Sequence, residues 1–399
     1  RHVDIAWDVA RRAAESDDRE ARALAAIALC KLGPLSVAGS LDTATAEYVE
    51  AALAVTHEPA LRARCASQAT LFYSMSGNVE RCRELYDVAL EAAHRSGEPR
   101  VLLDALGSAY VSLTHPDDWP QRAQAAAEML ALAERHNDDD SRFEALHTYF
   151  SVHVQFADPL VRTTLAAQAE LATALRNTGR HWMVGYQAAC LAFLDGRLDE
   201  SLEMAAGNYA TAPVSRSRAA GTYWMHQLVV RLAQGRDAGL EGEVDAIMAD
   251  QPGLPGWHAV AAWLAARRGD HARALAECDL VDGGRALPRD MAWSGAAVYL
   301  ARAVAAAGDP VRAAALTELL EPYGGLMTWY GSGTVGPFDL ALAELAEVQG
   351  DIAKARHHAG VAQRTVDRLA ARVFQPDLDR LSARLAEPAT EHRVTARSR

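Results

Sequence analysis

Lysine is nearly absent from this chain, occurring only at Lys31 and Lys354, and no GxxxxGK[ST] sequence is present. Without the phosphate-cradling loop and its lysine, hydrolysis of a nucleoside triphosphate has no machinery here. Cysteine is sparse. The five thiols at positions 30, 65, 82, 190 and 278 form no CxxC pair, so neither a disulfide framework nor a zinc site is written into the spacing, and a reducing cytoplasm fits best. No run of 18 uncharged apolar residues appears, and the opening Arg-His-Val-Asp lacks the basic-then-apolar layout of an export signal, so no membrane partner is expected. Positive charge is also short. Forty Lys and Arg stand against 52 Asp and Glu, a net charge of −12 that repels phosphate backbones and makes direct nucleic-acid contact a poor expectation. The first residue is not Met and the opening reads as the inside of a helix, so the chain is expected to be a piece of something longer.

What is present is helix. Half of the 399 residues are hydrophobic, alanine is abundant, and apolar positions recur at spacings of three and four with no sustained alternation of β-branched residues. A unit repeats: Gly, a polar residue, then a helix with a small residue four places on. It reads Gly77-Asn78…Cys82, Gly196-Arg197…Ser201, Gly269-Asp270…Ala274, Gly308-Asp309-Pro310…Ala313 and Gly350-Asp351…Ala355, with a weaker copy at Gly235-Arg236-Asp237; Gly39 stands 38 residues before Gly77. From Gly196 on, the intervals run from 34 to 42 residues. His115-Pro116-Asp117-Asp118 and Phe156-Ala157-Asp158-Pro159 occupy the places where two units have lost their glycine. The glycine suits the left-handed end of a helix, the Asp or Asn caps the next one, and the small residue lets the two approach closely. Neither helix buries its apolar face alone, so neighbouring pairs must stack. The expectation is an all-α solenoid of eight or nine tandem antiparallel helix pairs, tetratricopeptide-like, winding as a right-handed superhelix over residues 1–386, with a polar tail at 387–399.

Two long connections interrupt the rhythm, Val281 to Asp290 and Glu321 to Pro337. The second contains Gly331-Ser332-Gly333-Thr334-Val335-Gly336, which matches GxGxxG, yet no apolar strand precedes it and no βαβ pattern follows; it reads as a flexible connection between repeats, with no dinucleotide cofactor implied. His271 with Cys278, and His357 with His358, make no three-ligand set. Asp138-Asp139-Asp140 lacks the spacing of a calcium loop and reads as a helix cap. No GxSxG is found, and no residue is assigned a catalytic role. The recurring feature with binding potential is aromatic: Trp182, Trp224, Trp257 and Trp293 fall in the opening turns of successive first helices, with Tyr223 close by and Trp329 and Tyr330 in the long connection. These rings either fill gaps between repeats or line a groove for a peptide or small apolar effector.

Four landmarks, Gly253-Leu254-Pro255-Gly256-Trp257, Leu287-Pro288-Arg289-Asp290-Met291-Ala292-Trp293, Leu320-Glu321-Pro322-Tyr323 and Gly336-Pro337-Phe338-Asp339, resemble the C-terminal half of large actinobacterial ATP-binding LuxR-type transcriptional regulators, related to the maltose regulator, and their cyclase- or kinase-fused sisters. The resemblance is best over about residues 200 to 385. It implies a non-catalytic sensor repeat domain that takes a protein partner or small effector in its groove and controls a neighbouring ATP-binding switch domain. With neither a Walker sequence nor a helix-turn-helix reader here, ATPase and DNA-binding roles transfer to no residue. Two rivals stand beside this reading: a helical enzyme or small-molecule-binding protein with Trp257, Trp293, Trp329 and Tyr330 around a pocket, and a passive scaffold that self-associates.

Overall fold

A computed structural model of the chain describes residues 9–32, 43–75, 78–212, 216–251 and 253–386. Gly39, Gly77 and the polar tail therefore lie outside the described residues. The chain is all-α. In order, the helices are α1 (Arg19–Leu32), α2 (Thr43–Val55), α3 (Pro59–Met75), α4 (Val79–Ser96), α5 (Pro99–Gly107), the single turn α6 (Ala109–Ser112), α7 (Trp119–Arg135), α8 (Asp139–Gln155), α9 (Val161–Leu175) and α10 (Thr178–Leu194). They continue as α11 (Leu198–Ala210), α12 (Arg216–Ala233), α13 (Leu240–Asp250), α14 (Gly256–Arg267), α15 (His271–Leu280), α16 (Trp293–Ala307), α17 (Pro310–Leu320), α18 (Phe338–Val348), α19 (Ile352–Leu369) and α20 (Gln375–Ala386). Most pack on their chain neighbours, while α1 packs chiefly on α3, and α14, α16 and α18 pack on one another in series. No strand forms among the described residues; the one β feature is an antiparallel bridge between Met327 and Pro337.

The recurring unit does locally what its residue types dictate. Gly196, Gly235, Gly269, Gly308 and Gly350 all have φ between 68° and 80°, the left-handed conformation that ends a helix. Asn78, Asp270 and Asp351 each accept a hydrogen bond from the backbone N–H three residues on, and Asp309 accepts from both Val311 and Arg312. The small residues Cys82, Ser201, Ala274, Ala313 and Ala355 are all buried, as close helix approach requires. Of the two units without glycine, the one at 156–159 keeps the turn: Ala157 takes φ 52° between α8 and α9, and Asp158 accepts from Leu160 N–H, whereas at 115–118 the chain makes a 3-10 turn with no left-handed residue.

Successive units are also pinned by arginine–carboxylate pairs one repeat apart in sequence. Arg162 reaches Asp195, Arg267 reaches Asp237, Arg273 reaches Asp245, Arg312 reaches Asp279 and Arg384 reaches Glu347, at sequence separations of 28 to 37 residues. Such exposed pairs stabilise by no more than about 1 kcal/mol each and act mainly to fix register. One is different in kind. Arg302 on α16 is largely enclosed, bonded to Glu344 on α18 at 3.1 Å and Asp377 on α20 at 2.8 Å, with its guanidinium 4.7 Å over the Trp263 ring of α14.

The apolar interior divides unevenly along the chain. Three separate clusters serve the helices up to α8, whereas a single continuous core runs from Trp119 to Leu385. Within that core, residues 326–338 fold into a narrow hairpin: Phe338 N–H donates to Leu326 C=O, Thr328 N–H to Gly336 C=O, and Tyr330 N–H to Gly333 C=O at the tip. From Met327 to Phe338 only Tyr330 and Gly331 are not fully buried. The segment read as a flexible connection is thus among the most enclosed parts of the molecule.

Ala370, exposed at the end of α19 with φ 54°, carries a left-handed strain that glycine does not. Ala370→Gly is expected to raise stability by about 1 kcal/mol, read as a higher urea midpoint with an unchanged m-value; a lower midpoint would show that the turn is not held in this conformation.

Candidate functional site

The hairpin is held by side chains from distant parts of the chain. Met327 N–H donates to the Gln155 carbonyl at the end of α8, and Tyr110 of α6 donates its hydroxyl to Gly331 C=O at 3.1 Å. Ser294, on the first turn of α16, serves both backbone groups of Trp329: its Oγ donates to the carbonyl at 2.9 Å and accepts from the N–H at 3.0 Å. Inside the hairpin the Thr328 hydroxyl bonds Gly336 C=O and accepts from Val335 N–H, while Thr334 Oγ1 accepts from Gly336 N–H. These bonds are what allow a non-helical backbone to be buried at all.

The GxGxxG glycines have a conformational job. Gly331 has φ +94°, and a Cβ there would sit 2.3 Å from Met291 Sδ; Gly336 has φ +121° and faces the Phe374 ring, 3.2 Å from a would-be Cβ. A Cβ on Gly333 would meet the Tyr330 hydroxyl at 2.3 Å. They shape a buried tip.

The aromatic residues singled out in the sequence fall into separate places. Trp182 and Tyr223 come together with Tyr186, Tyr209, His226 and Ser332 around a small pocket of about 10 Å³, room for one water centre. Trp224 and Trp257 form an edge-to-face pair, centroids 5.0 Å apart, half-buried against the main core. Trp293 is buried between the His115 and Tyr323 rings, at 4.4 and 5.4 Å. Trp329 packs edge-on to Phe150, and the Tyr330 hydroxyl is buried.

Sequence reasoning missed a polar layer beneath the hairpin. On α8, His147, Ser151 and Gln155 lie four apart and are all buried, a polar stripe at helical spacing within an otherwise apolar face. That spacing was the available signal. His147 Nδ1 faces the Gln168 and Gln187 carboxamide nitrogens at 3.3 and 3.0 Å, and its Nε2 faces the Tyr186 hydroxyl at 3.2 Å. Its ring packs on Tyr110, centroids 4.6 Å apart. Tyr110 also carries the guanidinium of Arg122 over its ring at 4.5 Å. Arg122, on α7, is wholly buried, and burial pulls its pKa down to about 10. With the Gln155 carboxamide oxygen turned toward its donors, it accepts from Trp119 Nε1 at 3.1 Å and from Arg122 Nη1 at 3.2 Å.

A second polar knot ties the 115–118 turn to the C-terminal half. Asp117 receives Arg289 and, at 2.9 Å, the Tyr323 hydroxyl; His115 Nδ1 accepts from Arg289 at 2.9 Å; Asp118 pairs with Arg83. Burial, then the Arg289 charge, pushes the His115 pKa down to about 4, so the ring is neutral.

One serine–histidine contact invites a catalytic reading. Ser201 Oγ is 2.7 Å from His226 Nε2, but the same oxygen lies 2.8 Å from Ala189 C=O, to which it must donate its proton. His226 is then the donor to Ser201 rather than its base, and among the described residues no carboxylate bonds to the ring. His358 bonds Asp339 at 2.8 Å within the core, and no group of three metal-ligating side chains forms among the described residues. In this arrangement His226 does not activate Ser201 as a nucleophile. A scan against protein-family models gives no match, and no significant match is found among curated proteins.

Ser294→Ala strands the N–H and C=O of Trp329 without partners in a buried place. A loss of about 3 kcal/mol is expected, seen as one cooperative shift in urea unfolding; an unchanged midpoint would mean the hairpin is not bound as described.

Burial also depresses the His226 pKa, to about 4. The folded state therefore keeps this ring neutral while the unfolded chain protonates near pH 6.5, so stability falls as pH drops from about 6.5 toward 4, with a slope of up to about 1.4 kcal/mol per pH unit. Asp290, raised to about 6 by burial, acts in the opposite sense over part of that range. The His226 contribution is isolated by comparison: His226→Gln, which can still donate to Ser201, should flatten the stability profile between pH 6.5 and 4, and an identical slope in both proteins would contradict the assignment.

Proposed function

We propose that this chain is a tetratricopeptide-like α-solenoid that works by recognition, as the sensor of a signal-responsive regulator of the LuxR type. The support for a solenoid of paired helices is the recurring capped hairpin with its buried small residue, together with pairs that pack on their chain neighbours and are pinned one repeat apart. The observation that carries the functional reading is the 326–338 hairpin. An extended segment lies enclosed among the helices, held at its backbone by Tyr110, Gln155 and Ser294, which is how a stack of helix pairs grips an extended peptide or a small effector.

Three of the four landmark segments that resemble the regulators meet at the base of this hairpin. Trp293, Tyr323 and Phe338 pack in series, edge-to-face and then tilted, with centroids 5.4 and 5.5 Å apart. A ligand that binds better with the hairpin displaced than with it seated would shift the domain between two states, and stacked repeats would carry that shift to a neighbour. In this reading the segment is cytoplasmic, touches no nucleic acid itself, and passes its signal to an adjoining ATP-binding switch domain, with self-association as one output.

The test uses the full reading frame. Nucleotide turnover and oligomeric state should change when the hairpin is unseated by Ser294→Ala. A reading frame with no nucleotide-binding domain, or turnover and assembly identical in both proteins under every condition, would contradict the regulatory reading.

A further inference from the structure

Arg122 is a charge buried without a counter-charge. It has no exposed surface, no carboxylate pairs with it among the described residues, and the ionisable neighbours that bear on it are Tyr110 and Tyr186. Its guanidinium is used on one face and at one nitrogen. The face lies on the Tyr110 ring and Nη1 bonds Gln155, whereas Nε and Nη2 have no hydrogen-bond partner. Those two nitrogens form one edge of the planar group, and their parallel N–H bonds are the pair that grips both oxygens of a carboxylate. Leaving a fully desolvated guanidinium with that edge unused is costly, and a carboxylate removes the cost.

The surroundings narrow the class further. The side-chain oxygens of Gln168 and Gln187 are buried and have no partner, so the layer offers acceptors as well as the guanidinium donors. A bare anion cannot satisfy them; a molecule that also carries a hydroxyl or amine can. Both carboxamides converge on His147, which stacks on Tyr110 and meets the Tyr186 hydroxyl; Tyr186 in turn lines the aromatic pocket with Trp182, Tyr223 and Ser332. A run of side-chain contacts, Arg122 on Tyr110, Tyr110 on His147 and His147 with Tyr186, thus links that pocket to Arg122, and the hairpin tip is tied to the same run through the bond from Tyr110 to Gly331 C=O.

We propose that Arg122 anchors the carboxylate of a small aromatic acid bearing a hydrogen-bond donor, whose ring lies toward Tyr186 and Trp182 and whose entry shifts the 330–333 tip of the hairpin. This deepens the effector-sensing reading above, on which the coupling to the hairpin rests; the binding site itself stands on Arg122.

The probe is 4-hydroxybenzoate, with its neutral analogue 4-hydroxybenzamide, and with sodium phosphate and sodium chloride at equal ionic strength. Affinity is measured by calorimetry and by saturable rise of the unfolding midpoint in the wild-type chain, Arg122→Met and Arg122→Lys. The acid should bind and the amide should not. Arg122→Met should weaken binding about thirtyfold or more, and Arg122→Lys, which keeps the charge and loses the bidentate edge, should bind measurably more weakly than wild type. Equal binding of acid and amide, an unaffected Arg122→Met, or phosphate or chloride that saturates the site and displaces the acid would each overturn the proposal. If neither variant folds, the wild-type comparison of acid, amide and inorganic ions decides alone. Binding of the acid without any change in hydrogen exchange at residues 330–333 or in the adjoining domain would retain the carboxylate site and remove its link to the hairpin; no binding with an intact Ser294→Ala effect would do the reverse.

Discussion

Everything in the C-terminal two thirds of this molecule depends on burying a short stretch of backbone that is neither helix nor sheet. The 326–338 hairpin buries Met327, Trp329, Val335 and Phe338 within the single core that runs from Trp119 to Leu385. The constraint is strict because each enclosed N–H and C=O needs a partner. Thr328, Thr334 and Ser294 are therefore structural residues of the first rank: their hydroxyls stand in for the ladder bonds that a full sheet would provide.

This changes how the chain should unfold. A plain repeat array is held by nearest-neighbour contacts, so it can fray from its ends and lose cooperativity with length. Here α6, α8 and α16 are joined through the hairpin across sequence separations of up to 221 residues, and the Asp117 knot with Arg289 and Tyr323 adds a second closure. The helices before α4 lie outside both ties, and α4 reaches the second only through Arg83 to Asp118. The C-terminal two thirds should therefore behave as one cooperative block and the N-terminal helices as a separable extension.

The helices and their punctuation were legible from the residues because the signals are local. A glycine in the left-handed region followed by a capping Asp identifies a turn wherever it occurs, and even the two units without glycine were placed by spacing alone, one of them kept in shape by Ala157 at φ 52°. The hairpin was not legible. Its pattern of Gly, Ser and Thr is that of an exposed loop, and what reverses the reading is a set of partners 35 to 221 residues away that no local window contains. The aromatic residues divide in the same way: Trp182 and Tyr223 share a pocket because α10 and α12 both border the space near Ser332, while Trp293 is buried between His115 and Tyr323 and Trp329 is carried into the core by the hairpin. Arg122 carried no signal of its own. A lone arginine in an Ala-rich helix reads as solvated, and only the enclosing Tyr110 and Gln155 make it otherwise.

The most direct measurement is native-state hydrogen exchange at the amides of Thr328, Trp329, Val335 and Gly336. If the hairpin is the shared core of the block, these amides should exchange only through global opening, with protection matching that of α16 and α18. Exchange at rates typical of a surface loop, with α16 and α18 still protected, would contradict the claim that the hairpin holds the block together.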